Sequence, residues 1–319
     1  LSISRRHAFH IVAAMTNSRA ASAATPGEFR VRALGPDDVL ASASLIHADG
    51  IGWQQTEEDL KQVLNGQDAL GVFLGDSLVS MATLPAIAPD FGWLAYVATA
   101  PDARRRGYAR LLVSQLLSAR GNRFACGLYG SEMGAPLYRS LGFTDRGEAK
   151  LVELRKGSRS RSRSTARPLA GAKLVPAAEA LPQLLALDAS IYGSDRSALL
   201  TRWSRGLPDV GWVLLDEEGH RAEGYVLGRP VFPSGGTWLG PLVARDERAA
   251  ATLLGAAIEG CDGELVQALL PSAYDLDKRA RQWRPPPPSD QAADGGEAWA
   301  LARQFGFEAL GDAPILLMV

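Results

Sequence analysis

Short apolar runs of strand length alternate along this chain with longer stretches whose apolar residues recur at helical spacing. In order, the pattern predicts strands over residues 29–34, 69–74, 77–85, 92–99, 123–129 and 149–155. Helices are expected over 37–48, 56–64, 107–120 and 134–141, the last stopped by Gly142. Mixed strands with helices laid on both faces imply an α/β fold.

A similar order returns from about Ala172 to Val319. The segment from Trp93 to Ala98 leads into a helix carrying Leu111 and Leu112, and the segment from Trp238 to Val243 leads into one carrying Leu253 and Leu254. The tryptophan stands 19 residues before the second leucine in the first copy and 16 in the second, a loss of three. LYRSLGF, Leu137 to Phe143, is echoed by LARQFGF, Leu301 to Phe307. The halves therefore read as divergent copies of one fold. Two stretches interrupt them. Residues 156–168 fall in the run RKGSRSRSRSTARP, a solvated, self-repelling tether; its alternative is a contact strip for an anionic partner. Residues 278–296 carry Pro285 to Pro288 and read as an excursion within the second half.

Length and composition narrow the classes. A chain of 319 residues with 46% hydrophobic and 22% charged residues matches a soluble globular protein of two domains. No apolar stretch approaches a membrane span. A net charge of -1 argues against a general nucleic-acid binder. Cys126 and Cys261 fall in different halves at no metal-ligand spacing, which predicts a reducing, cytoplasmic setting, and the four histidines, His7, His10, His47 and His220, form no metal constellation. Residues 1–27, with three arginines and no acid, read as a disordered leader rather than a twin-arginine signal at Arg5 and Arg6. With Leu1 first and Met15 soon after, the native status of residues 1–14 is an open point.

The strongest chemical signal is VATAPDARRRGYARLLVSQLL, Val97 to Leu117. A strand ends in a basic, glycine-containing turn, and a helix begins at once. The first N–H groups of a helix have no intrahelical partner and, with the helix dipole, bind phosphate oxygens. Gly107 allows close backbone approach, Ala109 avoids a clash, and Arg104, Arg105 and Arg106 add charge. The plainer reading is a helix following a basic loop.

Together these residues resemble the GCN5-related N-acetyltransferases (GNAT). The family's acetyl-CoA loop, Arg/Gln-x-x-Gly-x-Gly/Ala, is met by Arg104, Gly107 and Ala109. A tyrosine four residues before a Gly-Phe pair is met by Tyr138 before Gly142 and Phe143. The resemblance covers roughly residues 28–155, and it implies a mixed, mostly antiparallel sheet flanked by helices. It also implies acetyl-CoA as acyl donor and a small-molecule or peptide amine as acceptor. Backbone groups of Val97, Ala98 and Thr99 would pair with the pantetheine arm where neighbouring strands splay, and an N–H near Val97 would polarise the thioester. N–H groups from Arg105 through Arg106, Gly107 and Tyr108 to Ala109 would take the pyrophosphate. Tyr138 would be the general acid. Ser131 stands where the family often has Asn and is a weaker cofactor contact. The family's carboxylate on the strand before the loop is missing here, so Asp90 is the nearest candidate base, with Tyr96 and His47 behind it. In the second copy, residues 169–319, the shortened loop holds Asp246 and Glu247 without glycine, and Ala302 takes the tyrosine position. The resemblance extends there to the C-terminal domains of two-domain acetyltransferases, which implies a degenerate domain that completes the core and shapes the acceptor cleft. An acyl-CoA-responsive module without turnover is the competing function.

Overall fold

The computed structural model describes residues 29–49, 57–64, 66–121, 124–155, 171–192, 195–231, 236–261, 265–271 and 296–318. The expected leader, tether and proline-rich excursion lie outside them, save Gly296. Fourteen strands and eight α-helices are formed among the described residues.

The chain divides into two compact units. The first takes the described residues up to Asp49 together with Glu57–Pro85 and Trp93–Phe124. Its antiparallel sheet has the order β1-β2-β3-β6, formed by Phe29–Leu34, Gly66–Leu74, Ser77–Thr83 and Ala95–Thr99. Helices α1 (Val39–Asp49) and α2 (Glu57–Val63) bring Leu45, Ile46 and Leu60 against Phe73, Met81 and Ala98. Helix α3 (Tyr108–Arg120) packs on β2 and β3 and buries Tyr108, Leu112, Val113 and Leu116, an apolar stripe at helical spacing. It ends at Gly121, whose φ of 76° suits a residue without a side chain.

Before α1, Arg32 grips the Asp38 carboxylate with two bonds of 2.7 and 2.8 Å, and the Gly35 N–H adds a third. Burial disfavours the charged carboxylate, but these donors outweigh it and hold Asp38 below the usual carboxylate range. The unfolded state thus binds the proton more readily, so the stabilisation is full above about pH 4 and is lost as pH falls through the lowered folded value. Asp38→Asn is accordingly expected to lower the melting temperature at neutral pH. The gap between variant and wild type should close below about pH 4 in a melting series.

The second unit takes Ala86–Gly92 and the described residues from Ala125 on. It holds a ten-stranded sheet of order β4-β5-β7-β14-β8-β13-β12-β11-β10-β9. These strands are β4 (Ala86–Ala88), β5 (Phe91–Trp93), β7 (Ala125–Tyr129), β8 (Thr144–Arg155), β9 (Lys173–Pro176), β10 (Trp212–Leu215), β11 (Ala222–Val231), β12 (Gly236–Ala244), β13 (Leu265–Pro271) and β14 (Glu308–Met318). Its helices are α4 (Ala135–Ser140), α5 (Leu181–Tyr192), α6 (Ser197–Trp203), α7 (Glu247–Gly260) and α8 (Gly296–Gln304). The pairing of β12 with β13 is parallel, and the other registers described are antiparallel.

Three findings refine the sequence reading. The single strand expected over 92–99 is broken at buried Leu94: β5 joins the ten-stranded sheet and β6 the four-stranded one. An apolar run shows no sign of changing sheets. Second, β14 lies between β7 and β8, so strands of the first copy share a sheet with the second, and the compact units do not part at the tether. Third, α7 buries Ala249, Leu253, Leu254 and Ala257 with the same spacing as Tyr108, Leu112, Val113 and Leu116. Leu253 and Leu254 therefore match Leu112 and Val113, one position on from the leucine pair read from the sequence.

The two LxxxxGF echoes close alike. Phe143 N–H donates to Tyr138 O and Gly142 N–H to Arg139 O, while Phe307 N–H donates to Ala302 O and Gly306 N–H to Arg303 O. Both glycines have positive φ, 98° and 87°. Under α5, Asp188 is 2% exposed and accepts from Arg196 through both oxygens and from the Tyr225 hydroxyl at 2.6 Å. Burial alone would lower the Arg196 pKa. The Asp188 carboxylate outweighs it and holds the guanidinium above its ordinary range. Among the described residues no helix is long and apolar enough to cross a membrane.

Candidate functional site

Strand β6 is an edge of the four-stranded sheet, and its register on β3 is irregular. Ser80 faces Thr99, Met81 faces Ala98, and then Thr83 faces Ala95. Tyr96 and Val97 thus stand opposite the single residue Ala82, which is a β-bulge. Tyr96 carries φ of 49°, an unusual value for a residue with a side chain. Ala100 N–H donates to Val79 O, so by alternation Ala98 and Ala100 turn their backbone to β3, up to the point where the bulge begins at Val97. Two fully buried hydroxyls bond across this irregularity. Thr83 Oγ1 donates to Ala95 O at 2.9 Å, and Ser80 Oγ lies 3.1 Å from Ala98 O and 2.9 Å from Thr99 Oγ1.

After β6 the chain makes a 3-10 turn at Pro101–Ala103 and passes through Arg105 at φ 61° and Gly107 at φ 84°. Left-handed residues in a short loop turn successive N–H groups toward one concavity, which favours anions. Arg104 Nε donates to Thr99 O at 3.3 Å and Arg106 Nη2 to Asp102 O at 3.2 Å, so two of the three arginines also fasten the loop on itself. Arg105 and Gly107 are exposed. Helix α3 starts at Gly107, an N-cap residue that has no side chain with which to cap it. The Tyr108 ring is buried and tilts against Phe29 at 5.3 Å, leaving its backbone as the part available to a ligand. Ala109 is half-buried one residue further on.

Of the remaining sequence candidates, Tyr138, Ser131 and Asp90 lie in the second unit. Tyr138, on α4, is 7% exposed and meets Phe143 edge-on at 6.0 Å. A Cβ added at Gly134 would come 3.1 Å from its ring, so that glycine makes room for it. Ser131 Oγ accepts from Gly134 N–H at 3.0 Å and is thereby committed to the turn that opens α4. Asp90 is exposed between β4 and β5, where its carbonyl accepts from Ala125 N–H at 2.9 Å. In the first unit His47 is exposed near the end of α1.

The corresponding point of the second copy is built differently. Two residues, Arg245 and Asp246, separate β12 from α7, whereas eight separate β6 from α3. The Asp246 carboxylate caps α7 by accepting from Ala249 N–H at 2.8 Å, and Arg245 is paired with Glu223. A carboxylate of the chain itself thus sits where the first copy has glycine at the cap position. Ala302 is buried at the tyrosine position.

The sequence reading passed over Ser80 and Thr83, although hydroxyls within the apolar strand Ser77–Thr83 were a visible signal. The bulge at Tyr96 left none.

Comparison with known proteins agrees with this duplication. Residues 68–145 match one family model described as an acetyltransferase (GNAT) domain, and residues 184–282 match another of the same description. No curated protein matches the sequence. Among solved structures, a GCN5-related N-acetyltransferase from Sphaerobacter thermophilus is 16% identical with a TM-score of 0.63, over 92% of this chain and 96% of that one. A Pyrococcus horikoshii protein provisionally titled an acetyltransferase is 18% identical with a TM-score of 0.67, over 95% and 93%. A tandem GNAT protein from the clavulanic acid biosynthesis pathway is 17% identical with a TM-score of 0.59, over 91% and 98%.

Proposed function

Because the chain belongs to the GCN5-related N-acetyltransferase superfamily, with two such domains in tandem, we propose that its first domain moves an acetyl or other short acyl group from acetyl-CoA to an amine by direct attack. The start of α3 carries this reading. A helix N-terminus with glycine at its cap position, reached through left-handed Arg105 and Gly107 in a loop that carries three arginines, fits a diphosphate.

Bound acetyl-CoA would supply the activated thioester. The N–H groups from Arg105 to Ala109 hold its diphosphate, and the open edge of β6 at Val97 to Thr99 aligns its pantetheine arm as an added strand. Val97 N–H donates to the thioester oxygen as negative charge builds there. The amine nitrogen forms a bond to the acyl carbon, and the bond to sulfur breaks. Tyr138 returns a proton to the departing thiolate, and Asp90 is assigned the proton lost by the amine, directly or through water. Ser131 has a minor part, its hydroxyl being used within the turn. The second domain, with Asp246 capping its helix and Ala302 at the tyrosine position, is assigned a structural role.

The reading is tested by CoA release from acetyl-CoA in the presence of a panel of small and peptide amines. In that assay Tyr138→Phe is expected to lower turnover about 100-fold or more while the affinity for acetyl-CoA, read by calorimetry, holds. Full activity would remove Tyr138 from the mechanism. One observation favours a second reading: residues 91–99 contain no carboxylate. Acetyl-CoA binding without CoA release across the panel would make the protein an acyl-CoA-responsive module.

A further inference from the structure

We propose that Ser80 and Thr83 are positioning residues for acyl transfer, holding the thioester-facing edge of β6 in its bulged form; the inference rests on the acyltransferase reading above. A bulge interrupts the ladder between two strands and leaves backbone groups without their regular partners. Here the interruption falls at Tyr96 and Val97, inside the segment assigned to the acyl end of the donor. Tyr96 with φ of 49° costs on the order of 1–2 kcal/mol relative to ordinary backbone. Such a conformation persists only where its surroundings over-determine it.

Thr83 and Ser80 supply that determination from both sides. Thr83 Oγ1 bonds the carbonyl of Ala95, immediately before the left-handed residue, at 2.9 Å. Ser80 Oγ lies within bonding distance of Ala98 O and Thr99 Oγ1, immediately after the bulge. Both residues are 0% exposed, in a strand whose neighbours Val79, Met81 and Ala82 are apolar and buried. A hydroxyl in such a place is costly unless bonded, and a β-branched apolar residue would serve the core as well as Thr83 does. What the hydroxyls add is a fixed backbone on the far side of β6. With the strand pinned at Ala95 and Ala98, the peptide between them keeps one orientation. The orientation of the Val97 N–H is then fixed before a ligand arrives, which is the preorganisation an oxyanion donor requires.

The role separates from simple stability through two readouts in the full chain. In Thr83→Val, which keeps shape and loses the hydroxyl, CoA release with the amine panel should fall about tenfold or more, since small misplacement of a donor is costly in rate. The preference for acetyl-CoA over CoA, measured by calorimetry, should shrink about threefold while affinity for CoA itself, set by the α3 loop, is retained. Ser80→Ala should move both readouts in the same direction, and Thr83→Ser should restore them. If Thr83→Val does not fold, Ser80→Ala carries the test with the same two measurements. Folded variants with wild-type rates and preference would overturn the proposal. A wild-type protein that binds neither CoA nor acetyl-CoA would instead overturn the acyltransferase reading, an outcome visible before any variant is made.

Discussion

On the proposed function, Gly107→Glu is expected to abolish acetyl-CoA binding, which in the wild-type protein is expected to reach about one equivalent per chain. The position has φ of 84°, and a Cβ placed there meets nothing within 4 Å, so the Cβ itself adds no clash. It adds two penalties of different origin. A side chain in left-handed backbone costs about 1–2 kcal/mol. A carboxylate at the helix start then opposes the diphosphate; two unit charges about 5 Å apart at an effective dielectric near 20 repel by about 3 kcal/mol. Together they amount to a loss of 100-fold or more in affinity. Gly107→Ala isolates the backbone part and should weaken binding by about tenfold at most. Calorimetric titration of each variant decides the matter. Two equivalents in the wild type, or binding that survives the glutamate, would mean that the second domain holds the ligand despite Asp246.

The largest effect on stability is expected at Asp188. Its carboxylate is 2% exposed and is shared between the Arg196 guanidinium and the Tyr225 hydroxyl, with the Arg196 guanidinium also lying 3.8 Å over the Tyr192 ring. Asp188→Ala leaves the side chain of Arg196, itself only 11% exposed, without its counter-charge. Removing one partner of a buried pair costs about 3–5 kcal/mol, equivalent to a melting temperature lower by roughly 10 °C in a protein of this size. Adding Arg196→Met to the same chain should recover much of the loss, because the stranded charge goes with it. Thermal melts of the single and double variants distinguish this from a cavity effect, which the second substitution would not repair.

The parts of this protein that could be read from sequence are those encoded locally. Arg104, Gly107 and Ala109 stand within six residues after a strand, and their pattern is legible because a helix start needs only its neighbours. The Gly-Phe closures after Tyr138 and Ala302 are equally local. The place of β14 was not legible, because nothing in residues 308–318 tells which of several open strands they will pair with. Nor does a tyrosine announce that it will adopt positive φ: Tyr96 takes that conformation because β3 and β6 differ by one residue over the same span. Ser80 and Thr83 fall between these cases. Their hydroxyls were visible in an apolar strand, but their bonding partners became visible only with the fold.

The insertion of β14 between β7 and β8 bears on how the molecule comes into being. A ribosome delivers β7 and β8 some 150 residues before the strand that separates them. Until then the strand that fills the place between β7 and β8, which bear Leu128 and Val152, buried in the complete fold, has not been made. Cutting the gene at the tether would therefore not release a finished first half. It would release one whose sheet lacks an inner strand, and supplying residues 308–318 as a separate peptide is the natural way to complete it.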